Sequence, residues 1–257
     1  MNRRTSALQV ILVIGLALVL LIGGLLAVRS GVLPNGGTAD HAPITQPSQP
    51  TQPNGAAAFA PFTVGGWNVG LDDADPQVIA DLLAAYQGVD LWGLAEVDDE
   101  GGAVPLLEAA AEAGEDADFG AVLGTSGASM RLLALYNAQR FDLLDKQELD
   151  AINTTGNARA PLVLHLRERS SGQDLLFMVN HLYRTRDNER LRQAQLLAQW
   201  AAEQTLPVIA VGDYNFDWAV RNGERNHDAA YTALTANGIW QWVRPADLVT
   251  TQCSGWP

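Results

Sequence analysis

From residue 62 onward, short apolar runs alternate with longer segments in which apolar residues recur every three or four positions, and several of the runs end on a polar group. Residues 62–69, FTVGGWNV, predict a first strand that closes at Asn68 and Gly70. Asp75 before Pro76 has the form of a helix N-cap followed by the first helical position, and PQVIADLLAAY carries helical periodicity. Residues 89–95, VDLWGLA, predict a second strand ending at Glu96, and residues 104–113 a second helix. Residues 120–129, GAVLGTSGAS, read as a Gly- and Ser-rich loop; they lack the GxxxxGK[ST] pattern of a phosphate cradle. Residues 131–136, RLLALY, form a third expected strand, with 141–144 continuing the sheet. Residues 161–166 and 175–182 flank Ser170-Ser171-Gly172 and predict a hairpin. A helix over 188–204, capped by Asp187, leads to VIAV at 208–211, a buried strand between Pro207 and Gly212. A last helix is expected over 229–236.

The hairpin makes the sheet at least partly antiparallel, which argues against a simple doubly wound fold. Two sheets packed face to face with helices outside satisfy every apolar face of an α/β chain of this pattern. With 257 residues, 47% of them hydrophobic, the chain can bury one substantial core. The net charge is −13, and the folded part is more acidic still, because Arg3, Arg4 and Arg29 precede it against a single acid, Asp40. Such a surface repels polyanions on average, so tight sequence-independent DNA binding is not expected. Cys253 is the only cysteine and excludes an internal disulfide.

The N-terminal residues 1–29 follow a different pattern. Arg3 and Arg4 precede an uncharged run from 5 to 28, long enough to span a bilayer, which takes about 20 residues. The basic residues place the remainder outside the cytoplasm. An uncleaved anchor is preferred to a cleaved signal peptide, because the apolar run exceeds a usual signal core and no clean A-x-A site follows. Residues 30–61, centred on TQPSQPTQPNG, read as a flexible linker, and residues 62–257 as the folded domain.

Candidate chemistry gathers at strand ends: Asn68, Glu96, His181, and Asp213 with Asn215. Ligands of open α/β sheets bind beyond such ends. Asp213 and Asn215 lie two apart, so in extended backbone they share a face; an Asx-type turn is the simpler alternative. Glu96 is either a metal ligand or an exposed strand terminator. Its carboxylate with neighbouring amide oxygens suits a hard cation, Mg²⁺ or else Mn²⁺ or Ca²⁺, while no Cys/His set has zinc spacing. His165 lies inside an alternating strand as an outward structural residue, and His41 and His227 have no evident role. His181 instead ends a strand and is followed by Arg184, Arg186, Arg190 and Arg192. These arginines are either a solvated helix face or a place to hold a phosphate, for which Arg184 and Arg186 are the candidates.

The series GWNVG (66–70), LAEV (94–97), LYNAQRF (135–141), VNHL (179–182), ERLRQA (189–194) and GDYN (212–215) resembles the endonuclease/exonuclease/phosphatase superfamily, the DNase I-like group. Each motif alone is weak, and their order and spacing together are specific. The resemblance covers the chain from residue 62 onward and implies a four-layer αββα sandwich. By resemblance, Glu96 is the metal-binding glutamate and Asn68 the first-strand asparagine near metal and phosphate. His181 is the histidine that contacts or protonates the phosphate, and Asp213 with Asn215 orients the attacking water. Tyr136, Arg159 and Arg190 lie in motif-like segments without an assigned role. The superfamily's terminal Ser-Asp-His is not found: Asp247 is followed by Leu248, and the chain ends DLVTTQCSGWP. A fragment or a degenerate member is therefore expected.

These readings lead to a monomeric, membrane-tethered, extracytoplasmic phosphodiesterase of nuclease type, secreted if its N-terminal segment is cleaved. Nucleic acid is the expected substrate, because metal ions and a local Arg cluster can supply the positive charge that the acidic surface lacks. A phospholipid phosphodiesterase of sphingomyelinase type and a catalytically degenerate binding domain are the alternatives.

Overall fold

The computed structural model describes residues 15–16, 59–71, 74–98, 102–156, 158–216 and 227–243. Except for Gly15–Leu16, the expected membrane segment and most of the linker lie outside the described residues. Among the described residues, no helix is long and apolar enough to cross a membrane.

Among the described residues, nine strands form two sheets. The first contains β1 (Gly15–Leu16), β2 (Thr63–Asn68), β3 (Leu91–Val97), β4 (Phe119–Leu123) and β5 (Arg131–Asn137), in the order β1-β2-β3-β5-β4. The second contains β6 (Phe141–Glu148), β7 (Leu162–Glu168), β8 (Asp174–His181) and β9 (Val208–Asp213), in sequence order. Both sheets are mixed. The pairs β2–β3 and β8–β9 are parallel and the other pairs antiparallel. The first parallel pair is bridged by helix α1 (Pro76–Ala85) and the second by α3 (Asp187–Ala202), as a parallel connection requires. Helices α2 (Ala103–Glu115) and α4 (Ala229–Thr235) complete the outer layers.

Alternation along the strands divides the apolar side chains into three layers. Trp67, Trp92, Leu94, Leu133 and Leu135 face Ile79 and Leu83 of α1 and Leu107 of α2. Val64, Leu91, Leu132 and Ala134 face Leu164, Leu166, Phe177, Val179 and Val211 across the gap between the sheets. Val163, Leu176 and Met178 face Ala194 and Leu197 of α3 and Ala230 and Leu234 of α4. The order is helices, sheet, sheet, helices.

Local signals explain several boundaries. Asp75 accepts a hydrogen bond from the Gln77 amide at 2.9 Å and caps α1 with Pro76 in its first turn. Arg140 donates to Asp90 at 3.1 Å and to the carbonyls of Ala60 and Pro61 at 2.7 and 2.6 Å, pinning the chain where it enters the first sheet.

Three expectations are corrected. The segment 120–129 is not all loop: its first part belongs to β4, which pairs antiparallel with β5 and buries Phe119 and Val122. Its glycines hid an edge strand with few large side chains. Residues 141–144 do not extend the first sheet; they begin β6, which opens the second and runs to Glu148. Asp187 does not cap α3: Arg186 occupies the cap position without a side-chain hydrogen bond, and the Asp187 carboxylate binds Arg190 at 2.9 Å.

Candidate active site

The carboxyl ends of β2 and β3 and of β8 and β9 meet because the sheets approach closely there. Gly66 and Gly93 face Val211 across the gap. A Cβ on Gly66 would lie 2.9 Å from Val211 Cβ, and one on Gly93 would clash with Val211 Cγ2. Side chains at either position would push the sheets apart at the end where their polar residues have to meet.

Glu96 does not follow its strand, as expected from the sequence, but lies within β3. The pairing with β5 shifts between Ala95 and Val97, leaving Glu96 as the extra residue of a bulge with φ of 61°. A bulge re-aims a side chain that regular pleating would send elsewhere. Here the Glu96 carboxylate reaches His181: Oε1 lies 3.6 Å from Nε2, although the residues belong to different sheets. Asp213 Oδ2 lies 4.0 Å from the same Nε2.

Asp213 is held on both oxygens. Asn68 Nδ2 donates to Oδ2 at 3.0 Å, and the Asn215 amide donates to Oδ1 at 2.9 Å. The second bond is the Asx turn, so the structural alternative and the functional one occur together: the turn uses Oδ1 and leaves Oδ2 directed at the histidine. Asn215 departs from the sequence expectation. Its φ of 50° ends the extended conformation, and its Nδ2 donates to the Leu182 carbonyl at 3.1 Å, so it does not share a face with Asp213 through strand alternation. It ties the exit of β9 to the exit of β8.

His181 is 5% exposed, and its Nδ1 has no hydrogen-bond partner. Burial, then the positive charge of Arg159, lowers its pKa to about 4; Asp213 works in the opposite direction and Arg184 in the same one. The imidazole is therefore neutral at pH 7. Beneath the site, Asn180 Nδ2 donates to the Tyr214 hydroxyl at 3.1 Å, and burial raises the pKa of that phenol to about 12.

Of the two phosphate-binding candidates, Arg184 contributes its charge to the site through its effect on His181, whereas the Arg186 guanidinium lies 5.5 Å from the centre of the Tyr183 ring. Two further arginines matter that sequence reasoning left without a role. Arg159 places a guanidinium nitrogen 3.7 Å from Glu96 Oε1. Arg190, 1% exposed, donates to Asp187, to Asp228 and to the carbonyls of Tyr183 and Arg184, thereby shaping the loop between β8 and α3. Gln193 supports the same loop by accepting from the Tyr183 amide at 3.0 Å. The signal was in the sequence: Arg190, Gln193, Ala194 and Leu197 have the spacing of a buried helix face, with polar residues at its first two positions. Arg190→Lys keeps the charge but loses the planar fork, and is expected to lower stability by about 2 kcal/mol in thermal unfolding.

The oxygen donors suit a hard cation. Among the described residues no group of three His, Cys, Asp or Glu side chains is arranged to enclose a metal ion. Two carboxylates, Glu96 and Asp213, instead approach one histidine nitrogen, and the amide oxygen of Asn68 accepts from the Gly70 amide at 3.2 Å. One or two carboxylates with water and substrate oxygens is how Mg²⁺ is usually held, in contrast to the fuller cages of Ca²⁺.

A neutral histidine, two carboxylates and nearby arginines thus gather at the joined ends of two mixed sheets in an α/β scaffold. The sequence pattern of the Endonuclease/Exonuclease/phosphatase family matches residues 65–257, and the chain belongs to that family. Its members are phosphoric ester hydrolases. No curated protein sequence matches the chain. The fold is similar to that of an endonuclease/exonuclease/phosphatase family protein of Bacteroides thetaiotaomicron, at 19% identity and a TM-score of 0.52 over 69% of each chain. The mannosyl-6-phosphatase of the same organism is similar at 18% identity and a TM-score of 0.51, over 69% of this chain and 71% of that one. A humanized D. rerio TDP2 is similar at 24% identity and a TM-score of 0.53, over 67% of this chain and 66% of that one.

Proposed function

We propose that the chain is a divalent-metal-dependent phosphodiesterase of nuclease type, tethered by its N-terminal segment with the domain outside the cytoplasm; in the tethered form Gly15–Leu16 lie in the bilayer and are not paired with β2. The observation that carries the catalytic reading is the convergence of Glu96 and Asp213 on His181 Nε2 from opposite sheets. The Arg3/Arg4 pair before a long apolar run supports the placement.

Hydrolysis of a phosphodiester needs an aligned water and stabilisation of the charge that develops on the phosphoryl and leaving oxygens. Asp213, fixed by Asn68 and the Asn215 amide, accepts the proton of the water through Oδ2. Asn215, bonded to Leu182 O, keeps the loop in register so that this oxygen does not wander. The neutral imidazole of His181 presents Nε2–H to the phosphoryl group, and Arg159 and Arg184 supply positive charge beside it. Glu96 and Asn68 would hold the cation, which when bound supplies Lewis-acid polarisation of the phosphoryl oxygens.

The test is turnover of plasmid DNA and of sphingomyelin in parallel, each with Mg²⁺ and then with excess EDTA. DNA nicking that is lost with EDTA and restored by Mg²⁺ is the expected result. Release of phosphocholine alone would replace the nuclease reading by the phospholipid one. Turnover of neither, with the domain folded, would favour a binding module.

A further inference from the structure

Two glutamates outside the site are built alike. Glu168 accepts hydrogen bonds from the amides and hydroxyls of Ser170 and Ser171, closing the hairpin that contains it. Glu148, in the last position of β6, accepts from the amide of Thr125 at 2.8 Å and its hydroxyl, and from the amide and hydroxyl of Ser126 at 3.1 and 2.6 Å. The chemistry is the same but the reach differs. Glu168 binds its own turn, while Glu148 ties the loop between β4 and β5 of the first sheet to an edge strand of the second.

That loop holds residues 159 and 160 in three places, two of them on Arg159 itself. Ser126 Oγ, itself donating to Glu148, accepts from the amide of Ala160 at 2.9 Å. The Met130 carbonyl accepts from Arg159 Nε at 2.6 Å. Gly127 lies so close that a Cβ there would be 2.5 Å from Arg159 Cγ. The outer end of the guanidinium then points at Glu96. A long arginine side chain has many rotamers, and one held along its stem delivers its fork without ordering it anew each time a ligand binds.

We propose that Glu148 is a positioning residue for phosphate-ester binding: through the loop 124–130 it holds Arg159 where its guanidinium meets an anionic phosphoryl oxygen of the substrate. This rests on the phosphoesterase reading above. Glu148→Gln suits the test because an amide of the same shape cannot accept on both arms, and the amides of Thr125 and Ser126 cannot reverse.

With bis(p-nitrophenyl) phosphate and Mg²⁺, Glu148→Gln should reduce kcat/KM by about tenfold or more, mainly through a raised KM. Glu168→Gln, which removes an equivalent cap far from the site, should leave kcat/KM within about twofold even where it lowers Tm as much. In an Arg159→Ala background, Glu148→Gln should add no further loss, because the group through which it acts is gone. An undiminished cost in that background, or an equal cost from Glu168→Gln, would overturn the proposal. Ser126→Ala, which takes away the acceptor of the Ala160 amide, is the milder probe should Glu148→Gln not fold, with the same expected direction and the same cycle.

A second readout separates this proposal from the functional one. The Arg159 Nε–H resonance, assigned by its loss in Arg159→Lys, should be protected from exchange in the wild-type chain. It should lose that protection in Glu148→Gln and keep it in Glu168→Gln. If the wild-type chain shows no turnover yet this pattern holds, the functional reading fails and the positioning stands. If Glu148→Gln leaves the resonance protected, the positioning fails whatever the turnover.

Discussion

Asp213→Asn should reduce metal-dependent kcat by about 10²- to 10⁴-fold, the range over which a positioned general base contributes. The substitution preserves volume. Oδ1 still accepts the Asn215 amide, so the turn after β9 survives. What changes is the atom facing Asn68 and His181. An amide nitrogen in place of Oδ2 meets the Asn68 Nδ2 donor without an acceptor between them and can take no proton from water. Should the new amide rotate to avoid this clash, the Asn215 amide loses its acceptor instead. Either arrangement costs stability on the order of 1–2 kcal/mol, small enough for the fold to persist. Steady-state turnover on DNA beside circular dichroism and thermal unfolding checks both halves. Unchanged turnover in a folded variant would remove Asp213 from the mechanism. Glu96→Gln should be similarly disabling, and there the loss should track metal affinity as well as rate.

The largest effect on the fold is expected from Gly212→Ala, about 3 kcal/mol or more. Gly212 has φ of 133°, a conformation that L side chains rarely adopt, and a Cβ there would collide with the Asn180 carbonyl of the neighbouring parallel strand. The obstacle is backbone and cannot turn aside as a side-chain tip could. Asn180 pairs with Gly212, and His181 pairs with Asp213. Relief by sliding β9 away from β8 would therefore separate the histidine from the aspartate. Urea unfolding measures the first consequence. Turnover of whatever fraction remains folded measures the second, and should fall with it. A change in stability below about 1 kcal/mol would mean that the strand pair tolerates the methyl group and that the approach is not tight.

Local signals made much of the scaffold legible. The Asp75–Pro76 pair specified the start of α1 because cap and first-turn geometry are local properties. The Ser170-Ser171-Gly172 turn specified the β7–β8 hairpin for the same reason. Asn68, His181 and Asp213 at strand ends, and Glu96 as a polar break after LWGLA, were readable because an apolar run broken by a polar group is a pattern along the chain. Less legible was what depends on pairing. β4 was hidden by glycines, and nothing within residues 141–148 shows which sheet β6 joins, because strand partners are chosen by non-local contacts.

The sequence by itself determined which residues can do chemistry and which faces must be buried, since both follow from side-chain type and periodicity. Tertiary structure alone decided how those residues meet. The bulge that turns Glu96 toward His181 exists only against β5, and the approach of the sheets at Gly66, Gly93 and Val211 exists only once they stack. Arg159 acquires its place from a loop that Glu148 holds from the other sheet. Periodicity acts over a few residues and marks candidates. Packing between segments far apart in the chain sets their distances, and on those distances a catalytic site depends.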